Sequence, residues 1–227
     1  MSDSIDIINA FALLTNFVLL PALSYGSQLA LGALAVTLVY SILRFSNFAQ
    51  GDSMAFGTMI VILVSGYMIG KGWTISGFPT ALLAIPFAII GTSIYMLIMD
   101  RLVYRHYRRI KIKQSIVGIT ASIGVMFITG GIVRFVLGAS AQRFGDGERF
   151  IFSVREFKAF TGLEQGIALK TSQFLTVTLA ILLVSFLFYF LQKTKTGKAM
   201  RAYSDNTELA LLSGIDPDKV VQITWLL

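Results

Sequence analysis

Six long apolar stretches constrain the fold of this chain more than any other feature of its sequence. They cover residues 7–24, 26–43, 54–70, 79–99, 115–138 and 172–192. Each approaches the ~20 apolar residues with which a helix crosses the hydrocarbon of a bilayer, where the backbone must satisfy its own hydrogen bonds. A seventh apolar stretch opens at Val220 and reaches only Leu227, so we expect its helix to continue past that residue. The sequence therefore predicts an all-α fold, a polytopic transmembrane helix bundle of about six complete spans plus the start of a seventh.

The composition excludes most other classes of protein. Apolar residues make up 55% of the 227 residues and charged residues 14%, against about 25% charged residues in soluble domains. A soluble core of this size could not bury so much apolar surface, and a chain without cysteine is no disulfide scaffold. We therefore expect a single transmembrane domain over residues 1–227, surrounded by membrane lipid and incomplete at its carboxyl end.

The placement of lysine and arginine predicts the orientation in the membrane. The net charge of +7 is concentrated in two short basic segments, residues 100–114 and 193–201. Because cytoplasmic loops carry an excess of Lys and Arg, both segments should face the cytoplasm, and residues 139–171, where the charges nearly balance, should lie outside. Counting the predicted spans back from residues 100–114 places residues 44–53 and the amino terminus inside as well. Since the basic residues form no stripe with stacking aromatics on a soluble module, no nucleic-acid partner is expected.

A polar stretch, residues 44–53, separates the second and third apolar stretches. It is too polar for lipid and too short for a soluble lobe, and non-helical backbone at membrane depth persists only where it is buried in protein or lines a wet cavity. We interpret it as part of a substrate pathway. The alternative is a local role, because Asp52 or Ser53 would also suit the N-cap of the next helix. The candidate pathway residues are Asn47, Phe48, Gln50, Gly51 and Asp52.

The second basic segment opens a candidate coupling segment, residues 193–218, within the same domain. Asp205 and Glu208 have the spacing of a capping box, and Gly214 suits the left-handed position that ends a helix. These signals predict a helix of about two turns over residues 206–213.

The predicted helix places Leu209 and Leu212 on one side. A short capped helix with two apolar side chains on the cytoplasmic face fits a groove on a partner protein. The alternative is an amphipathic helix that rests on the lipid surface. Asp216 and Pro217 then predict a further helix, with Asp as its N-cap and Pro at its first position.

Four ordered motifs resemble the branched-chain amino acid ABC transporter permease family. They are LALGALAVTLVYSILRFSNFAQGD (29–52), VYRHYRR (103–109), ITASIGV (119–125) and GKAMRAYSDNTELALLSGIDPDKV (197–220). In that family a small-residue helix runs into an Asn-Phe-Ala-His/Gln-Gly-Asp/Glu element. Residues 208–214 are also similar to the Glu-Ala-Ala–three residues–Gly loop of ABC importer permeases, with Leu209 in place of the middle alanine.

The resemblance implies one subunit of an importer in the cell (inner) membrane, not an enzyme. Its expected partners are a second homologous permease subunit, two cytoplasmic ABC ATPase subunits and an external solute-binding protein. No cofactor is expected, since residues 196–199 lack the first glycine and the final Ser or Thr of a phosphate-binding loop. The residues implied to couple to the ATPases are Glu208, Leu209, Ala210, Leu212 and Gly214.

Two other functions compete with this interpretation. A passive small-solute channel would need no coupling helix. A membrane-embedded enzyme is disfavoured, because the chain has one histidine, His106, no cysteine and no ligands at metal spacing. Arg134 is the one clear charge within an apolar stretch, and near its outer end it can extend to the surface. A route without fixed charge suits a zwitterionic or neutral substrate, which leaves branched-chain amino acids, other amino acids, urea and amides open.

Overall fold

The computed structural model describes residues 2–75, 79–109, 115–138, 140, 142, 150–162 and 165–227, most of them helical. The helices are α1 Ser2–Leu14, α2 Leu20–Leu43, α3 Gln50–Gly70, α4 Thr80–Met99, α5 Arg105–Arg109, α6 Ser115–Leu137, α7 Val154–Thr161, α8 Thr171–Lys193, α9 Lys195–Asp205, α10 Thr207–Leu212 and α11 Pro217–Leu226. The π-helical turns Thr15–Leu19 and Asp100–Tyr104 join α1 to α2 and α4 to α5 without a break. Two short strands, β1 Phe150–Phe152 and β2 Leu169–Lys170, pair antiparallel.

Five helices of the described ranges are long and apolar enough to cross a membrane. They are Ile7–Leu43, Gln50–Gly70, Thr80–Arg108, Ser115–Leu137 and Thr171–Lys193. Most of their side chains are not buried within the protein, which is expected of apolar helices that lipid surrounds. The prediction of a polytopic helical membrane protein is confirmed, with five candidate spans where the sequence predicts six.

The difference arises in the first apolar region. The sequence predicts separate spans over residues 7–24 and 26–43, but one unbroken helix runs from Ile7 to Leu43. A lone glycine such as Gly26 costs a helix only ~1 kcal/mol and does not end it. Pro21 lacks the N–H for the carbonyl of Phe17 and would clash with it in a regular helix. The π-helical turn at that position, in which Leu20 N donates to the carbonyl of Thr15, lets the helix continue.

Contacts divide the described chain into two compact units, each built from two segments. The first unit comprises Met1–Leu34 and Gly147–Lys193. In it, two asparagine side chains hold the segment before β2: the Asn9 carboxamide accepts a hydrogen bond from Gln165 N at 3.3 Å, and that of Asn16 from Ala168 N at 3.1 Å.

These two contacts bear on the side from which the first helix starts. Residues 139–171 are predicted to lie outside, although 139, 141, 143–149 and 163–164 of that segment fall beyond the described residues. Since Asn9 and Asn16 bond its described part, the beginning of the helix is expected on the same side as this segment. One span in place of two also reverses the count back from residues 44–53. With one span counted in place of two, the amino terminus is predicted to lie outside rather than inside.

The second unit comprises Ala35–Asp146 and Thr194–Leu227. At its centre α3 and α4 run antiparallel with small residues at their crossing. The Ser53 hydroxyl donates to Met96 Sδ at 3.3 Å, and a Cβ built on Gly57 would lie only 3.1 Å from Thr92 Oγ1. Such residues let helix backbones approach closely where lipid supplies no hydrophobic force. This unit contains both segments that the sequence predicts to be functional.

Single cysteines in this cysteine-free stretch test the orientation. Ser4→Cys and Phe160→Cys should react with an impermeant maleimide in intact cells, because both are predicted to lie on the outer side and Phe160 is 93% exposed. Lys198→Cys should react only after the cells are permeabilised, since its exposed side chain lies in the second basic segment. Labelling of Lys198→Cys in intact cells, or of Ser4→Cys only after permeabilisation, contradicts the orientation.

Candidate functional site

The turn between α2 and α3 begins with an unusual backbone conformation. Among the described residues, Arg44 is the one non-glycine residue with a positive φ, 61°. A left-handed conformation costs a residue with a Cβ roughly 1–2 kcal/mol, so other contacts must stabilise it. The Arg44 guanidinium donates to the carbonyl of Ser204 at the end of α9, and the Ser204 hydroxyl donates to the carbonyl of Ser41 at 3.3 Å. The turn is therefore attached to the candidate coupling segment at its first residue.

The turn lies beside the first two turns of α6. Phe48 N donates to the Ser122 hydroxyl at 3.1 Å, and the carboxylate of Asp52 lies 3.0 Å from the position of a Cβ on Gly130. Ser122 is seven residues and Gly130 fifteen residues into α6, about 10 Å and about 22 Å along the helix. The non-helical backbone of residues 44–49 thus runs along the first two turns of α6, where Ser115 Oγ also lies 3.4 Å from the carbonyl oxygen of Arg44.

Asn47 holds the interior of this turn together. Its carboxamide oxygen accepts from the Tyr104 hydroxyl at 3.1 Å and from Ala49 N at 3.2 Å, while its amide lies 3.4 Å from the Gln50 side-chain oxygen. Asn47 is buried, and Ala49 is 0% exposed. Because water cannot replace these hydrogen bonds inside the protein, they fix the conformation of the turn.

The other candidate pathway residues are more exposed than Asn47. Phe48 is 54% exposed, Gly51 is exposed with no atom within 4 Å of a Cβ built on it, and Gln50 and Asp52 are half-buried. The N-cap of α3 is Ala49, without a side-chain cap, and Asp52 lies in the first turn of the helix. The alternative that Asp52 or Ser53 caps α3 is therefore wrong, because the helix starts before either residue.

Tyr104 connects the turn to α11. The Tyr104 side chain is 3% exposed, and its ring stacks on Trp225 with 5.2 Å between ring centres. The indole Nε1 of Trp225 donates to Asp100 Oδ1 at 2.9 Å. An unbroken series of buried side chains therefore joins Asn47 to Asp100.

Asp100 is the centre of a four-charge cluster. It is 2% exposed, and Arg108 binds its two oxygens at 2.6 and 3.0 Å. Arg108 also lies 3.4 Å from Asp218, which Arg105 contacts at 3.0 and 3.2 Å. Two carboxylates thus face two guanidiniums, and the bidentate pair has the strongest geometry available to such groups.

The cluster also changes the titration of its most accessible carboxyl. Burial alone would raise the pKa of Asp218, but Arg105 and Arg108 together lower it below its usual range. A lowered pKa means that the pairing stabilises the fold at neutral pH and loses that contribution as pH falls through the shifted value.

The candidate coupling segment folds as a series of short capped helices. Thr194 caps α9 by accepting from Gly197 N at 2.9 Å, and the Asn206 side chain caps α10 by accepting from the backbone of Glu208 and Leu209, both at 3.0 Å. The predicted capping box of Asp205 and Glu208 is therefore wrong by one residue. Asp205 still belongs to α9, and the extended backbone of Asn206 both ends α9 and starts α10. As a result α10 is shorter than the predicted 206–213.

The carboxyl end of α10 agrees with the prediction. Gly214 has φ 80°, its N–H bonds the carbonyl of Leu211, and Ile215 N bonds that of Ala210, both at 3.0 Å. This is the Schellman arrangement that a left-handed glycine permits. Asp216 then caps α11 through Asp218 N at 3.0 Å, with Pro217 at the first helical position, as predicted.

The exposed face of α10 is apolar. Leu209 is 60% and Leu212 85% exposed, whereas Ala210 is buried against the rest of the unit. Glu208 lies in the first turn, where its negative charge interacts favourably with the helix dipole and stabilises α10.

Sequence reasoning missed the residues that connect the two segments, namely Arg44, Tyr104, Trp225 and Asp218. One signal was present: Asp100 is the lone acidic residue in the first basic segment. A single carboxylate among arginines at the end of an apolar stretch favours a buried ion pair.

Comparison with known proteins identifies the family. The family described as "Branched-chain amino acid transport system / permease component" matches residues 18–227. The chain belongs to this permease family. Similar proteins include the high-affinity branched-chain amino acid transport system permease protein LivH of Salmonella typhimurium, 25% identical over 209 residues, which are 89% of this chain and 63% of that protein.

Two further relatives come from distant organisms. The probable branched-chain amino acid transport permease protein LivH of Methanocaldococcus jannaschii is 27% identical over 93% of this chain and 62% of that protein. BraD of Pseudomonas aeruginosa, a high-affinity branched-chain amino acid transport system permease protein, is 23% identical over 92% of this chain and 65% of that protein. The chain thus spans somewhat under two thirds of the length of these relatives. No solved structure matches the permease significantly.

The Asp100–Arg108 pair is open to a double-mutant cycle. Arg108→Gln should lower stability in detergent by about 3–5 kcal/mol, because it leaves the buried Asp100 without its charged partner. Asp100→Asn should cost less, because Arg108 is partly exposed and keeps its contact with Asp218. The double variant should lose clearly less than the sum of the two. The exposed Asp205→Asn serves as the control and should unfold at the parent temperature. Strict additivity of the two single changes in thermal unfolding would show that the pair is not coupled.

Proposed function

We propose that this permease is the membrane-spanning subunit of an ABC importer in the cell (inner) membrane. With a second, homologous permease it forms the translocation path for a branched-chain or related amino acid, or a small amide. Two cytoplasmic ABC ATPase subunits drive the transport, and an external solute-binding protein delivers the substrate. The family match and the names of the relatives support the transport class, and the resemblance of the motifs supports the ABC partners.

The observation that best supports ATPase coupling is the geometry of α10. The helix has only six residues, yet Asn206 fixes its start and Gly214 its end. Leu212 is 85% exposed on this rigid frame. An apolar side chain held out on a short, rigid helix fits the pocket of a partner better than it fits water. In the proposed importer, Leu209 and Leu212 enter a groove of an ATPase subunit, and Ala210 and Gly214 keep the helix in place.

The turn between α2 and α3 is the proposed contribution to the path. Polar groups at membrane depth are retained where they meet water or a polar substrate. Phe48 and Gly51 present the open side of this turn, with Gln50 and Asp52 beside them, while Asn47 supports it from within. A passive small-solute channel would share this turn but would have no use for α10.

Substitutions at the end of α10 test the coupling. Gly214→Val should abolish most substrate-stimulated ATP hydrolysis, because a β-branched residue does not adopt a φ of 80°. Leu212→Asp should follow, since it puts a charge into the apolar contact, and Glu208→Ala should be mild because it removes only a first-turn charge. ATPase activity of reconstituted complexes measures the order.

Conservative variants provide the controls. Gly214→Asn tolerates the left-handed conformation, and Leu212→Met keeps an apolar anchor, so both should retain stimulation. Protease protection verifies that every variant inserts. If Gly214→Val and Leu212→Asp are both stimulated normally, coupling runs through another segment.

A bulky side chain at Gly51 tests the path. A Cβ at Gly51 meets no atom within 4 Å, so Gly51→Leu should fold and assemble while losing most of its uptake. Gly124→Leu is the matched control, because Gly124 also has open space but lies on the side of α6 opposite Ser122. Uptake at the parent level in Gly51→Leu would mean that the turn does not border the path.

A further inference from the structure

The coupling helix α10 is joined to α11 by a short, hydrogen-bonded connection. Between α10 and α11 lie four residues, 213–216, and their backbone is hydrogen-bonded throughout. Gly214 N and Ile215 N bond back to α10, while Asp216 bonds forward to Asp218 N at 3.0 Å. A displacement of α10 must therefore also move the start of α11, because no flexible linker separates them.

The helix α11 is in turn fixed to the continuous helix α4–α5 at two points. Near its start, Asp218 pairs with Arg105 and Arg108, and two turns later Trp225 donates to Asp100. Arg108 joins both points, since it binds Asp100 and Asp218 together. The two elements therefore share one set of charges, and a shift of α11 changes the position of the Trp225 ring.

The Trp225 ring is connected to the turn between α2 and α3 through Tyr104. It stacks on Tyr104, and the Tyr104 hydroxyl donates to the Asn47 carboxamide at 3.1 Å. All three side chains are buried, so a hydrogen bond lost here is not replaced by water.

We propose that Tyr104 and Trp225 are positioning residues that set the place of Asn47, and with it the turn of residues 44–49, according to the position of the coupling helix α10. This inference rests on the proposed function, in which an ATPase subunit binds α10. It adds the physical route from that contact to the substrate path. Tyr104 and Trp225 are then necessary for converting ATP hydrolysis into uptake, although neither residue contacts the ATPase subunit or the substrate.

The chain offers a matched control on the same helix. Tyr95 is also buried, stacks on Phe56 with 4.2 Å between ring centres, and shares a 2.6 Å hydrogen bond with Thr129. Its stacked ring and its hydroxyl partner belong to α3 and α6 rather than to α11 and the turn. Tyr95→Phe and Tyr104→Phe therefore each remove one buried hydroxyl, and only the second cuts the proposed route.

The first experiment measures substrate taken up per ATP hydrolysed in reconstituted importers. Tyr104→Phe should lower this ratio by about tenfold, the equivalent of one buried hydrogen bond, and Trp225→Phe should lower it too. Tyr95→Phe should leave the ratio unchanged, even if it lowers the unfolding temperature as much. Equal ratios in Tyr95→Phe and Tyr104→Phe would reduce Tyr104 to a structural residue and overturn the proposal.

The second experiment separates this inference from the proposed function. The permease is labelled with 5-fluorotryptophan, unlabelled ATPase subunits are added, and the ¹⁹F resonance lost in Trp225→Phe is assigned to Trp225. On binding, this resonance should shift, while that of the exposed Trp73 should not. Bound ATPase with an unmoved Trp225 resonance overturns the positioning role alone. Absence of ATPase binding overturns the proposed function, and the positioning role with it.

Discussion

The buried carboxylate of Asp100 is the constraint on which the arrangement of the second unit depends. An ionised group that is 2% exposed is tolerated only when other groups replace its water. Arg108 supplies two hydrogen bonds and Trp225 a third, and these two partners come from α5 and α11. Satisfying one charge therefore fixes α11 against the continuous helix α4–α5, and Asp218 closes the same cluster from the start of α11.

The same requirement governs the turn between α2 and α3. Its backbone leaves the helix, so its N–H groups need partners that a helix would have supplied. The Ser122 hydroxyl serves Phe48 and the Asn47 carboxamide serves Ala49. Asn47 is in turn held by Tyr104, which stacks on the Trp225 that satisfies Asp100. Hydrogen-bonded buried groups thus extend from the cluster around Asp100 to the turn, and they fix the backbone that carries the exposed Phe48 and Gly51.

The features that the sequence could predict are those set by residues close together along the chain. Apolar length gives the spans, and the local chemistry of Gly214 and Asp216 gives the end of α10 and the start of α11. A lone glycine such as Gly26 does not end a helix, and continuation past Pro21 depends on the π-helical turn Thr15–Leu19, which the apolar pattern does not report. The cap of α10 was misplaced by one residue, since Asp205 and Asn206 both favour caps. The Tyr104–Asn47 and Trp225–Asp100 contacts join residues 57 and 125 positions apart, and no periodicity reports such pairs.

The central claim is that the cluster around Asp100 keeps the turn of residues 44–49 in the conformation that buries Asn47 and Ala49. The reactivity of one buried position tests this claim most directly. Ala49 is 0% exposed, so an Ala49→Cys thiol should react slowly with a small hydrophilic reagent in the purified, folded permease. In the Asp100→Ala background, where Trp225 loses its acceptor and Arg108 loses its bidentate partner, the same thiol should react much faster than in the parent. The Asp100→Asn variant, whose amide oxygen can still accept from Trp225, should show a smaller increase. Unchanged slow reaction in a folded Asp100→Ala permease would contradict the account, because the turn would then be held without the cluster.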